Sequence, residues 1–242
     1  MRNLLAFLLA TAAFVPCHAA APGADEPQPR MTASGTQIEP YWLKKHEELT
    51  ALARQGGARV VFLGDSITEY WRDNQIWRER YAALPSANFG VAGDTTQNVL
   101  WRLAQGELTG EDPRLIVLLI GTNNLGRGDT PEEAAYGAGA VVRAVRARFP
   151  AAKILLLGIF PRGADARDPY RERVRRANVV LSRFGDGRSV RYLDIGRVFL
   201  ARDGSLSADV MPDFLHPSLE GYRRWADAMD PLLRRMLGEG GR

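Results

Sequence analysis

The chain has almost no cysteine: of 242 residues only Cys17 is one, and it lies within the first 21. Without that segment, disulfide stapling, thiolate zinc binding and a cysteine nucleophile are all excluded, so stability must come from packing. Histidine is also scarce, with only His18, His46 and His216, which leaves few groups for acid–base chemistry near neutral pH. After the first segment long hydrophobic runs are missing, since residues 115–121 and 154–160 are strand-length and far too short to cross a bilayer. Charge of one sign is lacking too, with 32 basic against 28 acidic residues and a formal charge of +4. Removing Arg2 leaves 31 against 28, or +3. The basic residues are overwhelmingly arginine, grouped at Arg171, Arg173, Arg175 and Arg176 and at Arg143, Arg146 and Arg148 on two predicted helices. On helices with apolar alternate positions such groups form a solvated face, and no interleaved aromatics offer base stacking, so no nucleic-acid partner is expected.

What is present, 45% hydrophobic and 25% charged residues, suits one α/β domain. Residues 1–21 carry Arg2, an apolar stretch from Leu4 to Val15, a break at Pro16 and a small-residue end at Ala19-Ala20-Ala21. This pattern reads as a secretory signal peptide, so the expected product is exported, periplasmic or secreted, with no stable membrane insertion. Phe14-Val15-Pro16 lacks the small residues that lipidation of Cys17 would need. Residues 22–37, rich in Pro, Ala and Gly, are expected to be a disordered leader, and residues 38–242 a single domain.

Within that domain residues 41–54 show helical apolar spacing and Gly56-Gly57 a stop, with Trp42, Leu43 and Leu49 expected in the core. Strands are predicted at Val60–Leu63, 87–89, 115–120, 153–158 and 190–194, with a helical or irregular stretch at 69–83. Helices are predicted at 96–105, 131–149, 170–184 and 219–237, the last capped by Ser218. Strands alternating with helices imply a flavodoxin-like, doubly wound parallel sheet of five strands with helices on both faces. Trp71, Trp77 and Trp101 are expected to pack in the core in preference to shaping a site entrance, and His46 to sit at the surface or its boundary.

The apolar run Val60-Val61-Phe62-Leu63 leads directly into Gly64-Asp65-Ser66, which places a hydroxyl at the carboxyl end of a buried strand, where ligands of open α/β sheets bind. A serine needs a base, and His216, with Asp213 three residues upstream, is the leading candidate. Two further loops follow strand ends, Gly90-Val91-Ala92-Gly93-Asp94 and Gly121-Thr122-Asn123-Asn124. Singly, Ser66 could be a helix cap, His216 a helix approach and Asn123-Asn124 a turn, but their joint occurrence favours chemistry. Asp94 after Gly93 breaks the Walker pattern, so no nucleotide site is expected, and Gly64–Thr68 is not the Gly-x-Ser-x-Gly elbow of α/β-hydrolases.

These four blocks, in this order, resemble the SGNH or GDSL hydrolase family over roughly residues 38–237, and residues 93–103 with 119–124 look closest to the catalytic subunits of the platelet-activating-factor acetylhydrolase Ib type. The resemblance implies Ser66 as nucleophile, His216 as general base and then acid, and Asp213 as the group orienting the imidazole. It assigns the oxyanion to the Ser66 and Gly93 N–H groups and the Asn123 side-chain amide. Ile67, Thr122 and Leu215 are expected to line a small acyl pocket. The expected activity is hydrolysis of a short-chain, acetyl-type O-ester in a small-molecule substrate, with no metal and no organic cofactor. A carbohydrate O-deacetylase is the first alternative, a lysophospholipase or thioesterase the next, and a noncatalytic ligand-binding envelope protein a third of a different class.

Overall fold

A computed structural model describes residues 23–72 and 74–238. The predicted signal peptide therefore lies outside the described residues. Five strands, β1 (Val60–Gly64), β2 (Ser86–Gly90), β3 (Leu115–Leu119), β4 (Lys153–Leu157) and β5 (Val190–Leu193), form one sheet in the order β2-β1-β3-β4-β5, with every pair parallel. This is the flavodoxin-like order, with the switch of direction beside β1. Among the described residues no helix is long and apolar enough to cross a membrane.

Alternation along the strands divides the interior into two cores. Val61, Leu63, Ile116, Leu118, Ile154 and Leu156 face one side. There they meet α1 (Pro40–Gln55), α4 (Thr96–Ala104), α6 (Pro131–Arg148) and α7 (Pro169–Leu181). Val60, Phe62, Val117, Leu155 and Leu157 face the other side. Here α3 (Gln75–Tyr81) and α8 (Leu219–Leu237) cover them around Trp71 and Trp225, whose ring centroids are 4.1 Å apart. Trp71 and Trp77 are thus core residues, while Trp101 is half-buried against α1.

The stretch expected as helical or irregular resolves into the single-turn α2 (Ser66–Glu69) and α3, while the loop after β3 contains α5 (Thr122–Arg127), which periodicity did not reveal because it spans barely two turns. Two expectations are corrected. Residues 23–39, read as a disordered leader up to 37, lie against the domain: Thr96 Oγ1 donates to the Ala24 carbonyl at 2.6 Å and Asn98 Nδ2 to the Gln28 carbonyl at 3.0 Å. Met31 and Ile38 form an antiparallel bridge, and Glu39 caps α1. His46 is buried, its Nδ1 3.0 Å from Glu107 Oε2, because that carboxylate lies within the interior and needs a partner.

Asp65 caps α2 by accepting the Ile67 N–H on Oδ1 at 3.0 Å, while its Oδ2 is buried with no hydrogen-bond partner. Burial raises this carboxyl to about 7, against the lowering by the Ile67 N–H. In an unfolded chain the group titrates near ~4. Stability tied to the protonated form is therefore complete below about pH 4 and is lost as pH rises towards about 7. Asp65→Asn removes the titration, so its stability relative to wild type should grow by on the order of 4 kcal/mol across that window. Urea unfolding of both proteins at several pH values checks this; parallel stability curves would remove Asp65 from the account.

Candidate active site

Ser66 opens α2 immediately beyond the carboxyl end of β1, and it is nearly buried. His216 comes from the loop that precedes α8, 150 residues away, and its Nε2 lies 2.8 Å from Ser66 Oγ. His216 Nδ1 lies 2.6 Å from Asp213 Oδ2. A carboxylate only accepts, so Nδ1 carries the proton and Nε2 is left to accept from the Ser66 hydroxyl in the neutral ring. The backbone completes the clasp, since the Leu215 and His216 N–H groups donate to Asp213 Oδ1 at 3.1 and 2.7 Å. Burial raises the Asp213 carboxyl, but the bonds from the His216 ring and from these N–H groups outweigh it and hold the carboxyl below its usual range.

That tight loop has a conformational cost. Phe214 has φ 58°, the only non-glycine residue at positive φ among the described residues, in a region L-residues rarely occupy. Its N–H donates to the Met211 carbonyl and its carbonyl accepts the Gly163 N–H, both at 2.9 Å, which holds the strained residue in place. Ser218, further along, caps α8 by accepting the Gly221 N–H.

The second block forms a turn closed by the Asp94 N–H donating to the Val91 carbonyl at 3.1 Å, with Gly93 at φ 76° in the third position. Neither the Ser66 N–H nor the Gly93 N–H donates to any group of the described residues. Asn123, on the first turn of α5, gives one side-chain N–H to the Asp94 carbonyl at 2.8 Å. Asn124 is instead structural and fully buried, its Oδ1 accepting the Thr96 N–H and its Nδ2 donating to Asp129. Of the expected pocket residues, Ile67 is 1% exposed and sits inside the core, which corrects its assignment to a pocket wall. Thr122 is buried with no hydrogen-bond partner for its hydroxyl, and only Leu215 is half-exposed.

Several residues escaped the sequence reading. Asp94, 0% exposed, accepts Arg102 Nε on Oδ2 at 2.8 Å and Trp42 Nε1 on Oδ1 at 2.7 Å. Burial pushes its carboxyl up to about 6, with Arg102, Trp42 and Arg30 pulling it down. Arg102 also donates to Glu107 and, at 3.2 Å, to the Phe89 carbonyl. Burial lowers the Arg102 pKa, but Glu107 and Asp94 more than reverse this. Arg102 stands eight residues after Asp94, and Trp42 and Glu107 are further still, so no local spacing announced the cluster. Tyr70 is half-exposed with its ring centroid 5.2 Å from that of His216. Among the described residues no three or more His, Cys, Asp and Glu side chains gather as a metal site.

The arrangement supplies a hydroxyl, an imidazole and a carboxylate in line, with uncharged N–H donors on neighbouring loops. Comparison with known proteins agrees with a hydrolase. The sequence profile of the GDSL-like Lipase/Acylhydrolase family matches residues 62–224. The chain is 37% identical over 223 residues to platelet-activating factor acetylhydrolase IB subunit alpha1 of Bos taurus, which spans 90% of this chain and 94% of that one. The crystal structure of a GDSL-like lipase from Bacteroides thetaiotaomicron superposes with a TM-score of 0.63 at 18% identity, over 80% of this chain and 97% of that one. A mutant acetyl-xylooligosaccharide esterase from Geobacillus does so with a TM-score of 0.56 at 20% identity, over 76% and 95%. At those identities the two structures speak to fold alone, whereas the profile and the bovine relative reach further: the chain belongs to the GDSL-like lipase/acylhydrolase family of ester hydrolases.

Proposed function

We propose that the protein is a serine esterase that hydrolyses short-chain O-esters, acetyl foremost, through an acyl-Ser66 intermediate. The observation that carries this reading is the unbroken hydrogen-bonded path from Ser66 Oγ through the His216 ring to the Asp213 carboxylate. In the first step Ser66 Oγ attacks the ester carbonyl carbon while its proton passes to His216 Nε2. Asp213 stabilises the imidazolium so formed and fixes its tautomer. Collapse of the tetrahedral intermediate returns the proton from Nε2 to the departing alkoxide. Water then attacks the acyl carbon, losing its proton to Nε2, and the acid leaves as Ser66 is restored.

During both attacks the carbonyl oxygen becomes negative. The uncommitted N–H groups of Ser66 and Gly93, and the second side-chain N–H of Asn123, are the donors assigned to it. A small acyl group is supported by the buried Thr122 beside Asn123 and by the acetylhydrolase name of the bovine relative. On the alcohol side Tyr70 favours a second reading. Its exposed ring beside His216 offers a flat apolar face to the leaving group, which suits a sugar ring and hence a carbohydrate O-deacetylase. Residues 1–21 act in this proposal as an export signal.

Four outcomes are expected. An organophosphate should label the wild-type protein and not Ser66→Ala, and acetyl esters should be cleaved faster than butyryl and far faster than octanoyl esters. Preference for octanoyl would sink the short-acyl assignment, and varying the alcohol between lipid and acetylated sugar decides between the two readings. Asn123→Ala should lower kcat by about 10²–10³ while shifting Tm little, because one oxyanion donor is lost; unchanged turnover would remove Asn123 from the reaction. N-terminal sequencing of the protein recovered from its native host should begin near residue 22, and a retained Met1 would overturn the export assignment.

A further inference from the structure

Arg30 reaches into the proposed site from the segment that the sequence marked as a disordered leader. That segment is held at both ends. Ala24 and Gln28 bind the first turn of α4, and the Glu39 N–H returns to the Arg30 carbonyl at 2.8 Å as Glu39 caps α1. Between these anchors the Arg30 side chain crosses Trp42, with its guanidinium carbon 6.0 Å from the ring centroid. Its Nη2 donates to the Ala92 carbonyl at 2.6 Å and to Asp94 Oδ1 at 3.1 Å, the two residues that flank Gly93. The guanidinium is close enough that a Cβ built on Gly93 would lie 3.1 Å from Nη2.

The peptide unit is what gives this contact its meaning. The Ala92 carbonyl and the Gly93 N–H belong to one trans peptide, so they point in opposite directions. The turn from Val91 to Asp94, with positive φ at Gly93, is of type II, and type I differs from it by turning over that same central peptide. Glycine at the third position tolerates both forms, so the backbone alone does not fix where the N–H points. A cation on the Ala92 carbonyl does. It favours the type II form, aims the Gly93 N–H away from Arg30, and polarises the peptide so that the N–H becomes a stronger donor.

We infer that Arg30 is a positioning residue for ester hydrolysis, holding the Ala92–Gly93 peptide so that the Gly93 N–H meets the substrate oxyanion. The inference rests on the esterase reading for its kinetic consequence, but the orientation of the peptide can be observed without any substrate. Because the donor matters when charge develops, loss of Arg30 acts on turnover and leaves ground-state binding nearly unchanged.

The test compares Arg30→Met, which keeps the packing on Trp42 and removes both hydrogen bonds, with Arg30→Lys and Arg30→Ala. With an acetyl ester, Arg30→Met should lose about 10- to 10²-fold in kcat at a KM within about twofold of wild type, part of the loss of one oxyanion donor. Arg30→Lys should recover part of the loss, and methylguanidinium added to Arg30→Ala should restore part of its turnover. Wild-type kcat in Arg30→Met, or a change confined to KM, would overturn the inference. A crystal structure of Arg30→Met should show the Ala92–Gly93 peptide turned over or in two orientations, and a single unchanged orientation would overturn it as well. If the wild-type protein cleaves no ester, the esterase reading fails, and the crystallographic arm still decides the role of Arg30.

Discussion

The carboxylate of Asp94 is the point on which the arrangement at the sheet edge depends. It lies wholly inside the protein and accepts hydrogen bonds from Arg102 on α4, Trp42 on α1 and Arg30 from the N-terminal segment. Its main-chain carbonyl holds the Asn123 side chain. Four separate stretches of chain thus meet at one residue, next to Gly93. A buried ion pair of this kind is weak evidence for stability, because desolvation of both charges offsets their attraction. Its value here is directional: a charge that must be surrounded leaves its neighbours few alternative positions. Glu107 and His46 extend the same logic outward, each buried polar group requiring the next.

Beneath that cluster the parallel sheet provides the frame. With both faces covered, its inner strands β1 and β3 are apolar throughout, and the carboxyl ends of all five strands share one edge. The loops after β1, β2 and β3 therefore emerge side by side, although they are separated by some 25 to 30 residues in the chain. Ser66, Gly93 and Asn123 owe their neighbourhood to this. His216 and Asp213 arrive differently, on a loop after β5 that is placed by the packing of α8 against α3 and the sheet face that carries Val60 and Phe62.

Most of this frame was legible in the sequence, because fully buried strands are short apolar runs and the helices of α6, α7 and α8 are long enough to show their period. The four loop blocks were legible from residue types in loops beside strand ends, and the structure brings His216 within hydrogen-bond reach of both Ser66 and Asp213. What was not legible depends on distant partners. Proline- and glycine-rich composition marked residues 22–37 as unstructured, yet composition is silent about Thr96 and Asn98, which hold that segment. His46 looked peripheral because its neighbours in the chain are charged, whereas its partner Glu107 is 61 residues away. Ile67 looked like a pocket wall because it follows Ser66, but the helical turn that starts at Ser66 directs the next side chain into the core.

The imidazole–carboxylate pair sits on the rim of the molecule: the Asp213 side chain is 55% exposed and that of His216 26%. Bulk solvent therefore bathes the far end of the relay, and dissolved ions screen the attraction between ring and carboxylate. In the proposed reaction the same exposure leaves the ring open to a hydrolytic water arriving from solvent. On the proposed reading, such a relay gives up electrostatic strength for unobstructed contact with solvent.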